Sequence, residues 1–151
     1  MIAVVGPGDT DDASLLAAAE QVGALLAQAG YQVVTGGLGG VMAAAARGAR
    51  HAGGTAVALL PGDDPAAANE GSDVVVATGL GQGRNVLVVR SAAAVIAVGG
   101  SWGTLSEVAL ARRLGRPVVW LMGWRVEGPD DEVASATSAE DAVVQTLAGL
   151  R

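Results

Sequence analysis

The feature that most constrains the fold is a repeated unit: an unbroken apolar run, a glycine-rich turn, then a helical pattern. The clearest copy is the apolar run 94–98, the pair Gly99–Gly100 and the segment Ser101–Glu107, after which apolar residues recur at helical spacing. Runs without alternation are typical of parallel strands covered on both faces by helices. The other apolar runs are 2–5, 31–34, 55–60, 74–77 and 117–122. We therefore predict an α/β fold: one doubly wound, mostly parallel sheet of about six or seven strands flanked by helices, in a single domain over residues 1–151.

Capping residues and glycines predict where the helices begin and end. Asp11 or Asp12 is suited to cap a first helix that runs to about Gln28, with Gly30 as its stop signal. Ser138 is suited to cap the last helix. Three further helices are predicted: one after Gly40, one from Arg84 to Ser91 and one from Thr104 to Leu114. Residues 63–72 are predicted to be a loop or a short helical turn, and residues 125–137 a polar loop.

Composition excludes several classes of function. Hydrophobic residues make up 51% of the chain but aromatic residues only 3%, so the core is predicted to consist of Ala, Val and Leu. A net charge of −6 argues against a nucleic-acid partner. The chain has no Cys and no Lys, which excludes a disulfide, a thiolate metal site and Schiff-base chemistry. The acidic segment 63–73 lacks ordered ligand spacing, so no metal site is predicted. No apolar run is long enough to cross a bilayer, and the start lacks the pattern of a signal peptide; we expect a cytoplasmic protein without a membrane partner.

Four glycine-rich turns are predicted at one edge of the sheet: Gly6–Gly8, Gly36–Gly40, Gly79–Gly83 and Gly99–Gly103. Any one of them can be a tight connection alone, but the carboxyl ends of parallel strands meet at one edge, where ligands bind. Backbone N–H groups at the start of the helix after Gly100 favour phosphate there. The candidate ligand-binding residues are Gly6, Gly8, Gly36, Gly37, Gly39, Gly81, Arg84, Asn85, Gly99, Gly100, Ser101, Trp102, Gly103 and Thr104.

Three of these positions have alternative interpretations. Arg84 opens a helix, where a cation is unfavourable to the helix dipole, and this favours a ligand role. Thr104 and Glu107 form the pattern of a capping box, so Glu107 either bonds back to the backbone or faces a ligand. Trp102 either stacks on a ring or belongs to an interface. Met42 is predicted to be a core residue and His51 a surface residue. Alanine-rich first and second helices indicate close helix packing and a homo-oligomer, most simply a dimer.

The turn sequences resemble those of a known superfamily. Residues 99–107, GGSWGTLSE, resemble the PGGxGTxxE signature of the Lonely Guy (LOG) proteins of the SLOG superfamily, to which a lysine decarboxylase activity has been ascribed. Residues 35–42, TGGLGGVM, resemble the GGxxGLM turn of that superfamily. Segments 60–62, 78–81 and 83–85 are more similar to a smaller subgroup that includes the molybdenum-cofactor carrier proteins. The resemblance covers nearly the whole chain and implies a Rossmann-like fold.

The resemblance implies two functions that share one pocket. LOG enzymes cleave the N-glycosidic bond of nucleoside 5′-monophosphates with an Arg and a Glu, which match Arg84 and Glu107. Carrier proteins bind a phosphorylated pterin without cleaving it. Gly99, Ser101 and Ala93 depart together from the hydrolase pattern. The favoured hypothesis is therefore a binding or carrier protein for a phosphorylated, ring-bearing ligand, either a nucleotide or a molybdopterin-type cofactor, with no further cofactor required.

The alternative hypothesis is a LOG-like phosphoribohydrolase in which Arg84 and Glu107 are catalytic. Two other activities do not fit the residues. Without Lys, nothing can hold pyridoxal phosphate for a lysine decarboxylase. Asp11 stands where a dinucleotide-binding fingerprint has its third glycine, which argues against an oxidoreductase.

Overall fold

The computed structural model describes residues 1–127 and 132–151. Its sheet has seven strands, all of them parallel, in the spatial order β4-β3-β2-β1-β5-β6-β7. The strands are β1 Ile2–Val5, β2 Val33–Thr35, β3 Ala56–Leu60, β4 Val74–Ala77, β5 Ala94–Val98, β6 Val118–Leu121 and β7 Ala134–Ala136. The chain builds outward from β1 to one edge and then returns to add β5 on the other side of β1. This confirms the doubly wound sheet and places its switch point between β1 and β5.

Within the described residues, five α-helices pack on the two faces of the sheet. They are α1 Ala13–Gln28, α2 Gly40–His51, α3 Arg84–Ser91, α4 Trp102–Arg113 and α5 Ala139–Ala148. Helices α1, α2 and α5 pack on the face that carries Ile2 and Val4, whereas α3 and α4 pack on the face that carries Ala3 and Val5. None of the helices in the described residues has the length and apolarity to cross a membrane.

The small residues of α1 and α2 let the two helix backbones approach closely. A Cβ placed on Gly23 would collide with the carbonyl of Ala45, and one placed on Gly48 would collide with the carbonyl of Glu20. The predicted close packing of these helices is therefore present, and it joins them to each other within one chain. It does not by itself indicate a subunit interface.

Local capping signals predicted several boundaries correctly. Asp12 accepts hydrogen bonds from the N–H groups of Ser14 and Leu15 at the start of α1. Ser138 accepts one from the N–H of Asp141 at 3.1 Å and caps α5. Helix α3 spans the predicted residues, and a short 3₁₀ turn, Pro65–Ala67, lies within segment 63–72.

Two edge strands differ from the expectation. Residues 134–136, predicted to belong to a polar loop, form β7 and pair with Val119–Leu121 of β6. This prediction was wrong because β7 is short and mostly exposed, and so carries no apolar run. Residues 128–131 of the same predicted loop lie outside the described residues. At the opposite edge, Val74 and Val76 are 46% and 45% exposed, so helices do not cover both faces of β4.

Candidate functional site

A cavity of about 200 Å³ opens at the carboxyl edge of the sheet, beside the ends of the adjacent strands β1 and β5. All four predicted glycine-rich turns contribute to its wall, together with the first residues of α3 and α4. Its lining residues are Gly6, Gly8, Leu38, Met42, Gln82, Arg84, Asn85, Ser101, Gly103, Thr104 and Glu107. This is where a doubly wound sheet is expected to bind a ligand.

The structure brings together eight of the residues singled out from the sequence. They are Gly6, Gly8, Arg84, Asn85, Ser101, Gly103, Thr104 and Glu107. The cavity lining does not include Gly36, Gly37, Gly39, Gly81, Gly99, Gly100 and Trp102. Sequence reasoning missed Leu38 and Gln82, although both lie inside predicted turns. Met42 is buried as predicted for the core, yet its side chain also reaches the cavity.

Several glycines outside the lining support the wall from behind. The Arg84 guanidinium occupies the space that a Cβ on Gly36 would need. A Cβ on Gly39 would lie 2.8 Å from the carbonyl oxygen of Gly8. Gly37 has a φ of 77° and packs against Ala58, a conformation that favours glycine. These glycines therefore allow the first two turns and Arg84 to pack together without side chains between them.

Arg84 is a buried cation without a direct partner. It is the first residue of α3 and only 7% exposed. Its Nε atom is buried without a hydrogen bond, and no ion pair or hydrogen bond joins its side chain to the other described residues. Burial lowers the pKa of Arg84, and the charge of Glu107 opposes that shift. A buried, unpaired guanidinium is unfavourable until an anion satisfies it.

Glu107 is the acidic group of the same cavity. It lies on α4 and is 7% exposed. Burial raises its pKa from the ordinary value of 4.5 to about 7, although the nearby charge of Arg84 acts to lower it. Near neutral pH this carboxyl therefore exists in both protonation states, and it can accept or release a proton.

The start of α4 differs from the prediction by two residues. The helix begins at Trp102, with extended Ser101 as its N-cap. The Ser101 hydroxyl accepts a hydrogen bond from the Thr104 N–H at 3.1 Å and lies 2.9 Å from the Thr104 hydroxyl. Of the two interpretations of Glu107, the capping box with Thr104 does not form, because Ser101 holds the cap position. The first-turn N–H groups of Trp102 and Gly103 have no acceptor within the helix, and Gly103 lines the cavity.

The three tryptophans of the chain surround the turn between β5 and α4. The Trp120 indole Nε1 donates a hydrogen bond of 2.5 Å to the carbonyl oxygen of Gly99. Trp124 covers the backbone of Gly100 and contacts Trp102 edge to face, with ring centroids 5.1 Å apart. Trp102 itself is 79% exposed. Neither Trp120 nor Trp124 was expected at this site from the sequence, in which the scarcity of aromatic residues is the one signal that singles them out.

A larger depression of about 440 Å³ lies beside the second half of α2 and residues 69–71. Its basic residues already have partners: Arg47 pairs with Glu20 at 2.7 Å, and Arg50 lies 3.8 Å from Asp73. These side chains are also well exposed, as is His51. The depression therefore offers no buried group that lacks a partner, and the smaller cavity is the better candidate site. Residues 1–127 and 132–151 contain no cluster of three potential metal-ligating carboxylates or imidazoles.

Comparison with known proteins identifies relatives over the whole chain. An uncharacterised protein from Archaeoglobus fulgidus is 42% identical over 139 residues, which cover 87% of this chain and 91% of that protein. The molybdenum cofactor binding protein from Rippkaea orientalis has a similar structure, with a TM-score of 0.91 and 34% identity, covering 99% and 96% of the two chains.

Two further structures extend the comparison. The molybdenum cofactor carrier protein from Chlamydomonas reinhardtii gives a TM-score of 0.85 at 33% identity, covering 99% of this chain and 97% of that one. DNA processing protein A from Streptococcus pneumoniae, at 22% identity, shares the fold, and the match covers 95% of this chain and 60% of that chain. The model of the SLOG cluster4 family matches residues 1–148. The chain therefore belongs to the SLOG cluster4 family.

Proposed function

We propose that this protein binds and carries a phosphorylated, ring-bearing ligand, with a molybdopterin-type cofactor as the first candidate and a nucleotide as the second. The observation that carries the proposal is the buried, unpartnered guanidinium of Arg84 in a cavity at the switch point of the sheet. The binding and carrier functions named for the Rippkaea and Chlamydomonas proteins support it.

The residues present fit a phosphate group. Arg84 offers a fixed fork of N–H donors, and Gly103 offers a first-turn N–H at the positive end of a helix dipole. The cavity, at about 200 Å³, is smaller than the roughly 300 Å³ at which pockets for whole organic ligands begin. We therefore place the phosphate inside the cavity and the ring at its rim.

Binding is favoured over hydrolysis because the cavity offers too few groups for acid–base chemistry. Cleavage of an N-glycosidic bond needs a base to take a proton from water and a donor to protonate the leaving base. Glu107 is the one carboxylate among the described residues that line the cavity. The departures from the hydrolase pattern at Gly99, Ser101 and Ala93 also favour binding over hydrolysis.

A LOG-like phosphoribohydrolase stays as the second candidate because Arg84 and Glu107 do line one cavity. In that reaction water attacks C1′ of the ribose, the bond to the base breaks, and Glu107 takes the proton from water. The base would leave with a proton from solvent. The raised pKa of Glu107, about 7, leaves a share of the carboxylate ionised at neutral pH for this role.

One experiment separates the two candidates. The purified protein is examined by native mass spectrometry for a bound ligand and is then incubated with the common nucleoside 5′-monophosphates. A carrier retains a phosphorylated ligand and releases no free base. Release of base and ribose 5-phosphate, lost in Glu107→Gln, would establish the hydrolase instead.

We also propose that the protein forms a homodimer through the exposed apolar surface of β4 and α3. Val74 and Val76 of β4 are exposed on the same face as Val57 and Leu59 of β3, since these residues are register partners in the parallel pair. Val86 and Leu87 are also exposed, on α3, which packs on the same face of the sheet. Exposed apolar patches of this kind mark interfaces.

Sedimentation tests the dimer. We expect a mass of twice 14.8 kDa and a monomer for Val76→Asp, because a charge in the patch opposes its burial. Val144→Asp is the matched control, since Val144 is 67% exposed on α5. A wild-type monomer at high concentration would contradict this proposal.

A further inference from the structure

We propose that Trp102, supported by Trp124, is the surface on which the planar ring of the bound ligand stacks. This inference rests on the proposed function, because it assumes that the phosphate of the same ligand lies at Arg84. It assigns the ring-recognition element of the site to a residue whose side chain is not part of the cavity wall.

The distribution of aromatic residues is the first argument. The chain contains three Trp, one Tyr and no Phe, so three of its four aromatic residues surround one turn. Trp120 anchors the carbonyl of Gly99, Trp124 covers Gly100, and Trp102 contacts Trp124. The rest of the core is built from small aliphatic residues. The concentration of indole rings at this turn therefore does not follow from a general need for core volume.

The exposure of Trp102 is the second argument. Its side chain is 79% exposed, although tryptophan is a large apolar residue that folding normally buries. It is the first residue of α4, between Ser101 and Gly103, which both line the cavity. The indole is thus attached at the rim, next to the N–H groups that are proposed to bind phosphate.

The packing of the two indoles is the third argument. Trp124 lies two residues after Met122, which has a φ of 53°, a strained conformation for a residue with a Cβ. Gly123 lets this connection pass directly against the Trp120 indole. The Trp102 and Trp124 rings meet at 75°, an edge-to-face contact that occupies at most one face of either ring. Trp102 therefore keeps at least one face available for a ligand ring.

The position of the phosphate decides what occupies that face. A ligand held by its phosphate in a small cavity must leave its ring at the rim, where Trp102 lies. Stacking on an indole accepts any flat heteroaromatic ring, whether a pterin or a nucleobase, because each has a π face. The chemistry recognised is thus a planar heterocycle joined to a phosphate.

The test compares ligands that share a phosphate and differ in the ring. Calorimetry measures the affinity of guanosine 5′-monophosphate against that of ribose 5-phosphate, and of a phosphorylated pterin against that of inorganic phosphate. The proteins are the wild type, Trp102→Ala, Trp102→Phe and the matched control Val144→Ala, a similarly exposed apolar residue on α5. We expect Trp102→Ala to reduce the ring-dependent gain in affinity by about tenfold or more. Trp102→Phe should retain most of that gain, and the affinity for ribose 5-phosphate or inorganic phosphate should not change.

Fluorescence gives a second readout. A ring stacked on Trp102 should quench its emission, and the quenching should fall in Trp102→Phe. An unchanged ring-dependent gain in Trp102→Ala, with normal binding of ribose 5-phosphate or inorganic phosphate, would overturn the role of Trp102 and leave the proposed function standing. Failure of every phosphorylated probe to bind the wild type would contradict the proposed function, and this inference with it.

Discussion

Arg84 and Glu107 lie in the wall of one cavity and shift each other's pKa in opposite directions, yet no direct ion pair joins them in the described structure. Burial outweighs their mutual attraction at both residues. The guanidinium has no direct partner among the described residues. Burial raises the pKa of the Glu107 carboxyl to about 7. A bound phosphate would satisfy the first group and favour the protonated form of the second.

The buried carboxyl of Glu107 predicts a pH-dependent stability. Its pKa is about 7 in the folded protein and 4.5 ordinarily, so ionisation opposes folding by about 3 kcal/mol once the pH exceeds 7. This penalty is absent below the ordinary pKa and grows as the pH rises between the two values. Glu107→Gln should therefore raise the free energy of unfolding at about pH 8 and change it little at about pH 4. Urea denaturation of both proteins at each pH measures the change in the free energy of unfolding. An equal change at about pH 4 and about pH 8 would contradict a raised pKa for Glu107.

The same carboxyl predicts pH-dependent anion binding. Sulfate is the appropriate probe because its charge is constant between pH 6 and 8. We expect its affinity to fall as the pH rises through about 7, since an ionised Glu107 repels an anion at Arg84. In Glu107→Gln the affinity should be nearly independent of pH. Calorimetric titrations at three pH values test this, and a wild-type affinity that rises with pH would show that Glu107 does not face the anion.

The contact between Gly36 and Arg84 predicts that a single methyl group will displace the guanidinium. Gly36→Ala places a Cβ in the space that this group occupies. We expect sulfate affinity to fall by about tenfold or more, as for Arg84→Gln, because a charge-assisted hydrogen bond is lost. Gly62→Ala is the matched control, since nothing lies within 4 Å of its Cβ position. Normal sulfate binding by Arg84→Gln would exclude Arg84 as the anion-binding group.

The cap of α4 predicts a modest loss of stability at Ser101. Ser101→Ala removes the hydroxyl that accepts from the Thr104 N–H, and the free energy of unfolding should fall by about 1 kcal/mol. Ser106→Ala serves as the control, because that hydroxyl only donates to the carbonyl of Gly103 within the helix. Chemical denaturation of both variants checks the prediction. Equal effects for the two would count against Ser101 as the helix cap.

Local signals explain which parts of this fold the sequence could predict. The cap at Asp12, the cap at Ser138 and the start of α3 at Arg84 depend on residues adjacent in sequence. Unbroken apolar runs likewise identified the six strands from β1 to β6. Strand β7 could not be found in this way. It is a strand because it pairs with β6, and its own residues carry no strand pattern.

In the candidate site, too, features set by neighbouring residues could be predicted and features set by tertiary contacts could not. The glycine-rich turns predicted where it lies, since all parallel strands end at one edge of the sheet. The sequence pointed to a cap at Thr104, however, whereas the extended conformation of Ser101 places the cap of α4 three residues earlier. The contacts of Trp124 with Gly100 and Trp102 are tertiary, and no local sequence pattern predicts them. Residues supplied by distant turns, such as Leu38 and Gln82, were missed for the same reason.

A crystal structure with a bound phosphorylated pterin or guanosine 5′-monophosphate tests the central claim most directly. We predict that the phosphate lies in the cavity, within hydrogen-bond distance of the Arg84 guanidinium and the Gly103 N–H, with the ring outside the cavity at the Trp102 side. A ligand bound elsewhere, such as in the depression beside Arg47 and Arg50, with Arg84 still unpartnered, would contradict the account.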